Sequence, residues 1–324
     1  MKHFPVTYST PSAPALLKLA AEVYNMDDLT ECVLIKRGFN DTYLLAGNDR
    51  KYILRVYRYN KRTVLEISEE VQLLLELSKR GVSVSSPIPL KNDTLIGNIA
   101  CPEGSRQFVL FTYVDGHPLN LKDDAQVHAF GKAVAQLHEC SSNFNIEPIR
   151  KNLSLEQLIN TSILSMKPFL NTQSEEWRFL SNTAERVIDH IKKIDNLDFG
   201  MCHGDLHPGN VHIKENYQFF DFDFCGFGWS AYDLATIKYE LLTNRVILRP
   251  ADQEKKWDIF LDGYDNIRKL KKNDIRAVPW FIVVRHLWYM GAHNDNLKDH
   301  GIVDMNETSI DHFLNILRYI SDGL

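Results

Sequence analysis

Residues Cys202-His203-Gly204-Asp205-Leu206-His207-Pro208-Gly209-Asn210, followed by Phe220-Asp221-Phe222-Asp223, decide how this chain is read. The first run is the most polar, glycine-bearing loop of the sequence. The residues between the two runs alternate like paired strands, 211–214 and 218–223, around a turn at Glu215-Asn216. A hairpin leaving the loop therefore delivers Asp221 at its far end, and strand alternation places Asp221 and Asp223 on one face.

Three oxygen-bearing side chains, Asp205, Asn210 and Asp221, can converge in such a loop and hairpin. Transfer of a phosphoryl group from ATP needs such a set: a carboxylate to orient and deprotonate the attacking hydroxyl, and hard oxygen ligands to hold Mg²⁺ against the phosphates. Asp205 fits the first role, Asn210 and Asp221 the second, and Asp223 is a candidate for a second ion. Singly, each is an ordinary loop residue; an Asp in a Gly-Pro loop is usually a turn former. Their order on loop, hairpin and the following helix start at Asp233 outweighs that reading.

Working outward, residues 31–36, 42–46 and 51–57 are strand-like, with Gly47-Asn48-Asp49 punctuating them. Val64, Ile67, Val71, Leu74, Leu75 and Leu77 follow helical spacing, and Gly81 stands where a helix end favours a left-handed residue. Candidate strands at 88–91 and 106–113 complete a small lobe, 1–113, that ends at Val114-Asp115-Gly116. The remainder, 114–324, reads as mostly helical. Asp123 or Asp124 caps one helix, Ser154 with Gln157 makes a capping box for the next, and helices are expected over 175–194, 231–244, 252–271, 277–293 and 309–320. The 211–223 hairpin is the one strand pair expected there.

The chain has 324 residues, 44% hydrophobic and 24% charged, with a formal net charge of −5. No block of like charge would gather nucleic acid or an anionic membrane surface. Five cysteines in odd number and without a C-x-x-C pair argue against a disulfide framework or zinc knuckle. The N-terminal apolar stretch is broken by Lys18 and Glu22, and the run 278–292 holds Arg285 and His286 and is shorter than a bilayer span. A cytoplasmic protein is expected.

His203, Asp205 and Asn210 match the H-x-D-x-x-x-x-N catalytic loop of protein kinases, and Asp221 stands where their D-F-G aspartate stands. With Tyr232-Asp233-Leu234-Ala235 added, the chain more narrowly resembles the aminoglycoside phosphotransferase and choline kinase family, which also includes type II homoserine kinases and the bacterial stress-response kinase. The resemblance implies an α+β, two-lobed protein-kinase-like fold: a small lobe with a mostly antiparallel sheet, a large mostly helical lobe, and ATP with Mg²⁺ in the cleft. It implies Asp205 as catalytic base, Asn210 and Asp221 as magnesium ligands, and Asp233 as a buried brace of the loop. Arg55 stands where relatives place a phosphate-binding lysine, offering a planar fork in place of a point charge. Its carboxylate partner is expected on the following helix, Glu70 first and Glu69 second. The loop 37–42, with Asn40 and Thr42, would cover the phosphates, and 111–116 resembles the hinge that meets adenine.

The acceptor is expected to be a small hydroxylated molecule such as an amino alcohol, an aminoglycoside or homoserine, with a protein serine or threonine as the alternative. Glu240, Asp265, Asp295 and Asp299 with Trp229, Trp280 and Trp288 could form a pocket for a small cation, or a solvated face. Arg285 and His286 are read as core polar groups or substrate contacts. Two rival readings stand beside the kinase: a metal-dependent hydrolase using His203, Asp205, His207 and His212, and an inactive nucleotide-binding module. The sequence leaves the oligomeric state open.

Overall fold

The computed structural model describes residues 4–142, 144, 153–243, 250–301, 307–322 and 324. The chain divides into two units: Met1–Asp115 with Asn296–Ile302, and Gly116–Asp295 with Val303–Leu324.

Unit 1 opens with α1 (Ala13–Tyr24), then β1 (Glu31–Arg37), β2 (Asp41–Gly47), β3 (Arg50–Val56), α2 (Val64–Lys79), β4 (Pro87–Ile88), β5 (Gly97–Cys101) and β6 (Gly104–Thr112). The strands form one antiparallel sheet in the order β1-β2-β3-β6-β4, with β5 paired to β6. Alternation drives its packing. Tyr43, Leu45, Leu54, Val56, Phe108 and Leu110 point to one face and bury against Leu16, Ala20 and Tyr24 of α1. α2 starts at a full capping box, in which Thr63 accepts the Glu66 amide and Glu66 accepts the Thr63 amide. It ends before Gly81, whose φ is +82°. The β5 strand, unforeseen in the sequence, is hydrogen-bonded on β6 through a tight turn at Gly104, where φ is +143°.

Unit 2 comprises β7 (His117–Pro118), α3 (Asp124–Ser142), a π-helical turn at Glu156–Asn160 running into α4 (Thr161–Met166), α5 (Glu175–Ile191), β8 (Phe199–Cys202), β9 (Val211–Ile213), β10 (Tyr217–Phe219), β11 (Gly226–Trp229), α6 (Ser230–Thr243), α7 (Pro250–Asp265), α8 (Lys272–Asp299), of which the last turn from Asn296 is counted with unit 1, and α9 (Glu307–Ser321). The expected cap at Asp123 is present, since its Oδ1 accepts the amides of Ala125 and Gln126. The expected end of the 231–244 helix, Asn244, lies outside the described residues. More strand is present than expected. β7 joins the β9-β10 hairpin, and β8 pairs antiparallel with β11 on either side of the polar loop.

The hairpin itself is shorter than the alternation implied. β10 ends at Phe219; Asp221 takes a left-handed conformation, φ 65° and ψ 56°, and Phe222–Phe224 is a 3-10 turn closed by the Cys225 amide on the Phe222 carbonyl. The argument that Asp221 and Asp223 share one strand face therefore fails, because the chain must turn here to enter β11. Asp223 is 4% exposed.

Candidate active site

The loop between β8 and β9 is held from beneath by one carboxylate. Asp233, on the first turn of α6 and fully buried, accepts the His203 amide on Oδ2 at 2.8 Å and the Gly204 amide on Oδ1 at 2.9 Å. Its Oδ2 also accepts from His138 Nε2 on α3 at 3.2 Å, and His138 Nδ1 in turn accepts the Tyr264 hydroxyl of α7 at 2.8 Å. Burial alone would raise the Asp233 pKa; the hydrogen bonds from His138 and the His203 amide hold it below its ordinary value. Glycine is required at Gly204. Its φ is +80°, and a Cβ would stand 2.0 Å from the Phe224 carbonyl oxygen.

His203 is a brace of the same loop. Its Nε2 donates to the Phe220 carbonyl at 3.1 Å and its Nδ1 accepts the Asp205 amide at 3.3 Å, so both ring nitrogens are committed to backbone. Burial holds it neutral by lowering its pKa. The metal-hydrolase reading needs these nitrogens for a cation, and they are already in use.

Asp205 is partly exposed, and three polar groups face it. Arg285 of α8 donates from Nη2 to Oδ1 at 2.5 Å, Asn210 Nδ2 lies 3.4 Å from Oδ2, and His207 Nε2 lies 3.7 Å from Oδ2. His207 Nδ1 accepts the Gly209 amide at 3.0 Å, which leaves the proton on the nitrogen facing Asp205. Asn210 Nδ2 also donates to the Asp205 carbonyl at 3.0 Å, so its amide nitrogen faces Asp205 and its oxygen is the atom left for a hard cation. The Phe220 amide donates to the Asn210 carbonyl at 3.1 Å, which ties Asn210 to the residue beside Asp221. The donor set of one amide oxygen and one carboxylate is of the kind Mg²⁺ accepts when phosphates and water complete its shell. Among the described residues no group of three or more His, Cys, Asp or Glu forms a self-contained metal cage.

In unit 1, Arg55 Nη1 donates to Glu70 Oε1 at 2.7 Å, with both side chains buried, and the Tyr57 hydroxyl donates to Glu70 Oε2 at 3.1 Å. The Arg55 guanidinium lies over the Phe111 ring at 5.2 Å. Thr42 is the cross-strand neighbour of Arg55. Asn40 is buried, and its carbonyl accepts the Gly38 amide at 3.1 Å. The next residue, Asp41, turns inward to a fully buried ion pair with Arg106 at 2.7 Å and also accepts from the Tyr8 hydroxyl. Arg58 donates to the Gly38 carbonyl. Nothing in the local sequence marks Arg106 or Arg58 as the anchors of this loop; both are reached through tertiary contacts.

Several of the acidic and aromatic residues weighed as a cation pocket are engaged elsewhere. Asp265 pairs with Lys269 and Asp299 with Lys61, each at 2.5 Å. Trp280 stacks on His190 at 3.7 Å, whereas Trp288 meets Phe224 at 4.9 Å and lies against Arg285. His286 is a core group, bonded to the Tyr239 hydroxyl and the Phe313 carbonyl. Arg285, its neighbour, is the one of the two that reaches the polar loop.

The sequence profile of the phosphotransferase enzyme family matches residues 31–270, about three quarters of the chain. The chain belongs to the phosphotransferase enzyme family. This phosphotransferase is 33% identical over 321 residues to an uncharacterised protein of Deinococcus radiodurans, covering 98% of this chain and 92% of that one. Its fold is that of an amicoumacin kinase solved in complex with AMP-PNP, Ca²⁺ and Ami, with a TM-score of 0.76, 19% identity, and coverage of 98% of this chain and 94% of that chain. A microcompartment-associated aminopropanol kinase matches with a TM-score of 0.74, 21% identity, and coverage of 95% and 98%. The α+β kinase-like architecture expected from the polar loop is the architecture observed.

Proposed function

We propose that this phosphotransferase moves the γ-phosphoryl group of ATP to a hydroxyl of a small molecule. The observation that carries the reading is the loop assembly in which Asp205, Asn210 and the Phe220-Asp221 turn are bonded to one another over Asp233. Asp205 is the base: it takes the hydroxyl proton as the acceptor oxygen bonds to the γ-phosphorus and the bond from that phosphorus to the ADP oxygen breaks. Asn210 and Asp221 would hold Mg²⁺, which offsets charge on the phosphates when bound; Asp223, buried on the turn that parts it from Asp221, has lost the shared face that made it a candidate for a second ion. Arg55, oriented by Glu70, is assigned to the phosphates of the nucleotide, with Asn40 and Thr42 on the loop beside it. The nucleotide and divalent ion bound by the amicoumacin kinase, and the small acceptors for which both solved relatives are named, support this assignment.

None of the five cysteines is in a disulfide, which agrees with the reducing, cytoplasmic setting proposed here. The test is ATP consumption with Mg²⁺ across a panel of amino alcohols, aminoglycosides, hydroxy amino acids and a generic protein acceptor. Stimulation by one small acceptor is the expected result; stimulation by the protein alone, or none, would overturn it.

A further inference from the structure

The reading above assigns Asp205 as base and leaves Arg285 without a part, yet Arg285 is the strongest polar contact that Asp205 makes. Arg285 is 4% exposed, and its Nη2 donates to Asp205 Oδ1 at 2.5 Å. Its Nε and Nη1 are buried and have no hydrogen-bond partner among the described residues. The buried Tyr232 hydroxyl lies beside the guanidinium and favours its charge without reaching ideal hydrogen-bond geometry. Burying an arginine costs several kcal/mol, and unmade hydrogen bonds add to that cost, so an apolar side chain of the same length would serve a purely structural role better. What the arginine gains is its place on Asp205.

The approach is fixed from behind. Trp288, one turn along α8, sits over the guanidinium with 4.4 Å from its Cζ to the ring centroid, and Trp288 is set edge-on against Phe224 of the turn after Asp221. The guanidinium is thereby clamped between the Trp288 face and the carboxylate. The two oxygens of Asp205 are made unequal. Oδ1 is taken by the arginine, while Oδ2 has only longer contacts, 3.4 Å to Asn210 Nδ2 and 3.7 Å to His207 Nε2.

From this geometry we infer that Arg285 is a positioning residue of the phosphoryl transfer: it holds Oδ1 of Asp205 so that Oδ2, on the Asn210 side, is the oxygen presented to the acceptor hydroxyl. The inference rests on the reading of Asp205 as base. A carboxylate released from this contact rotates about its Cα–Cβ and Cβ–Cγ bonds, and misplacing a base by about 1 Å costs on the order of 10²-fold in rate.

The experiment is a double-mutant cycle on the full chain, reading ATP turnover with the best acceptor of the panel, or with water as acceptor, and the KM for ATP beside it. Arg285→Met is expected to lower kcat by about 10- to 100-fold with the KM for ATP changed less than about twofold. Arg285→Lys, which keeps the charge and one donor, is expected to recover part of the loss. In the Asp205→Asn background, Arg285→Met is expected to cost nothing further, because the group it positions is no longer a base. A melting curve for each variant accompanies the kinetics. If Arg285→Met leaves kcat unchanged, or slows the Asp205→Asn enzyme by the same factor as the wild type, Arg285 is structural and the inference is overturned. Full activity in Asp205→Asn would instead overturn the assignment of the base, and no turnover by the wild-type chain would overturn both.

Discussion

Asp205 and Asp233 are two aspartates on one loop assembly with opposite environments: the first partly exposed beside Arg285, the second fully buried under two backbone amides and a histidine. Their removal is expected to fail differently. Asp205→Asn should lower kcat by about 10² to 10⁴, the range of general-base catalysis, and lower the melting temperature modestly because the buried Arg285 loses its counter-charge but keeps an acceptor oxygen. Asp233→Ala should cost about 3 kcal/mol or more in urea denaturation, because it strands His138 and the amides of His203 and Gly204 without a partner. Titration of Asp233 has a definite sign. Its folded pKa is depressed, so the stability it contributes is complete above the ordinary aspartate value of about 4 and fades as pH falls through the lower folded value. His286 acts over a different window. Burial lowers its pKa from 6.5 to about 4, so the neutral ring stabilises the fold above pH 6.5, and about 3 kcal/mol is lost as pH falls from there toward 4. The urea midpoint of the wild-type chain is expected to decline over that range, and His286→Gln to flatten the decline.

Among the elements, α3 and α7 pack directly on one another, and they carry His138 and Tyr264 beneath the polar loop. Glycines open the way on both sides: a Cβ at Gly131 of α3 would stand 2.1 Å from the Phe260 carbonyl oxygen, and one at Gly263 of α7 would stand 2.0 Å from the His128 carbonyl oxygen. Helix propensity favours alanine over glycine by about 1 kcal/mol. Packing reverses that preference here, because the helices must separate to admit a methyl group. Gly131→Ala is expected to destabilise the chain by about 1–3 kcal/mol in urea denaturation and to lower kcat by loosening the His138–Asp233 contact. A stabilised variant would show that the helix crossing is softer than the contact distances require.

At the scale of the molecule, the proposed metal ligands Asn210 and Asp221 both lie in unit 2, on the β8–β9 loop and the turn after β10. Ligand that binds only the folded chain is expected to stabilise it. ATP with Mg²⁺ at about one hundred times its Kd should add about 2.7 kcal/mol to stability, seen as a rise in melting temperature. Asp221→Ala should remove the part that depends on Mg²⁺. An equal rise in the variant would rule Asp221 out as a metal ligand.

Most of unit 1 was legible because its strands are half-buried. Residues 31–36, 42–46 and 51–57 are rich in β-branched and aromatic residues, and the helical spacing from Val64 to Leu77 with Gly81 after it marks α2. The β8 and β11 strands were not, since Phe-Gly-Met-Cys and Gly-Phe-Gly-Trp carry no alternation, and they exist only by pairing with each other. The helix expected over 277–293 begins earlier, at Lys272, and runs through Pro279, because burial of Ala277, Val278, Phe281 and Ile282 outweighs the missing hydrogen bond. The order of Asp205, Asn210, Asp221 and Asp233 along one loop, hairpin and helix start determined the family and the chemistry, because those groups lie within a short run whose spacing is itself the signal. Tertiary structure alone decided the turn that parts Asp221 from Asp223, the His138–Tyr264 support and the placing of Arg285 on Asp205, since each joins residues far apart in sequence whose meeting depends on how the helices pack.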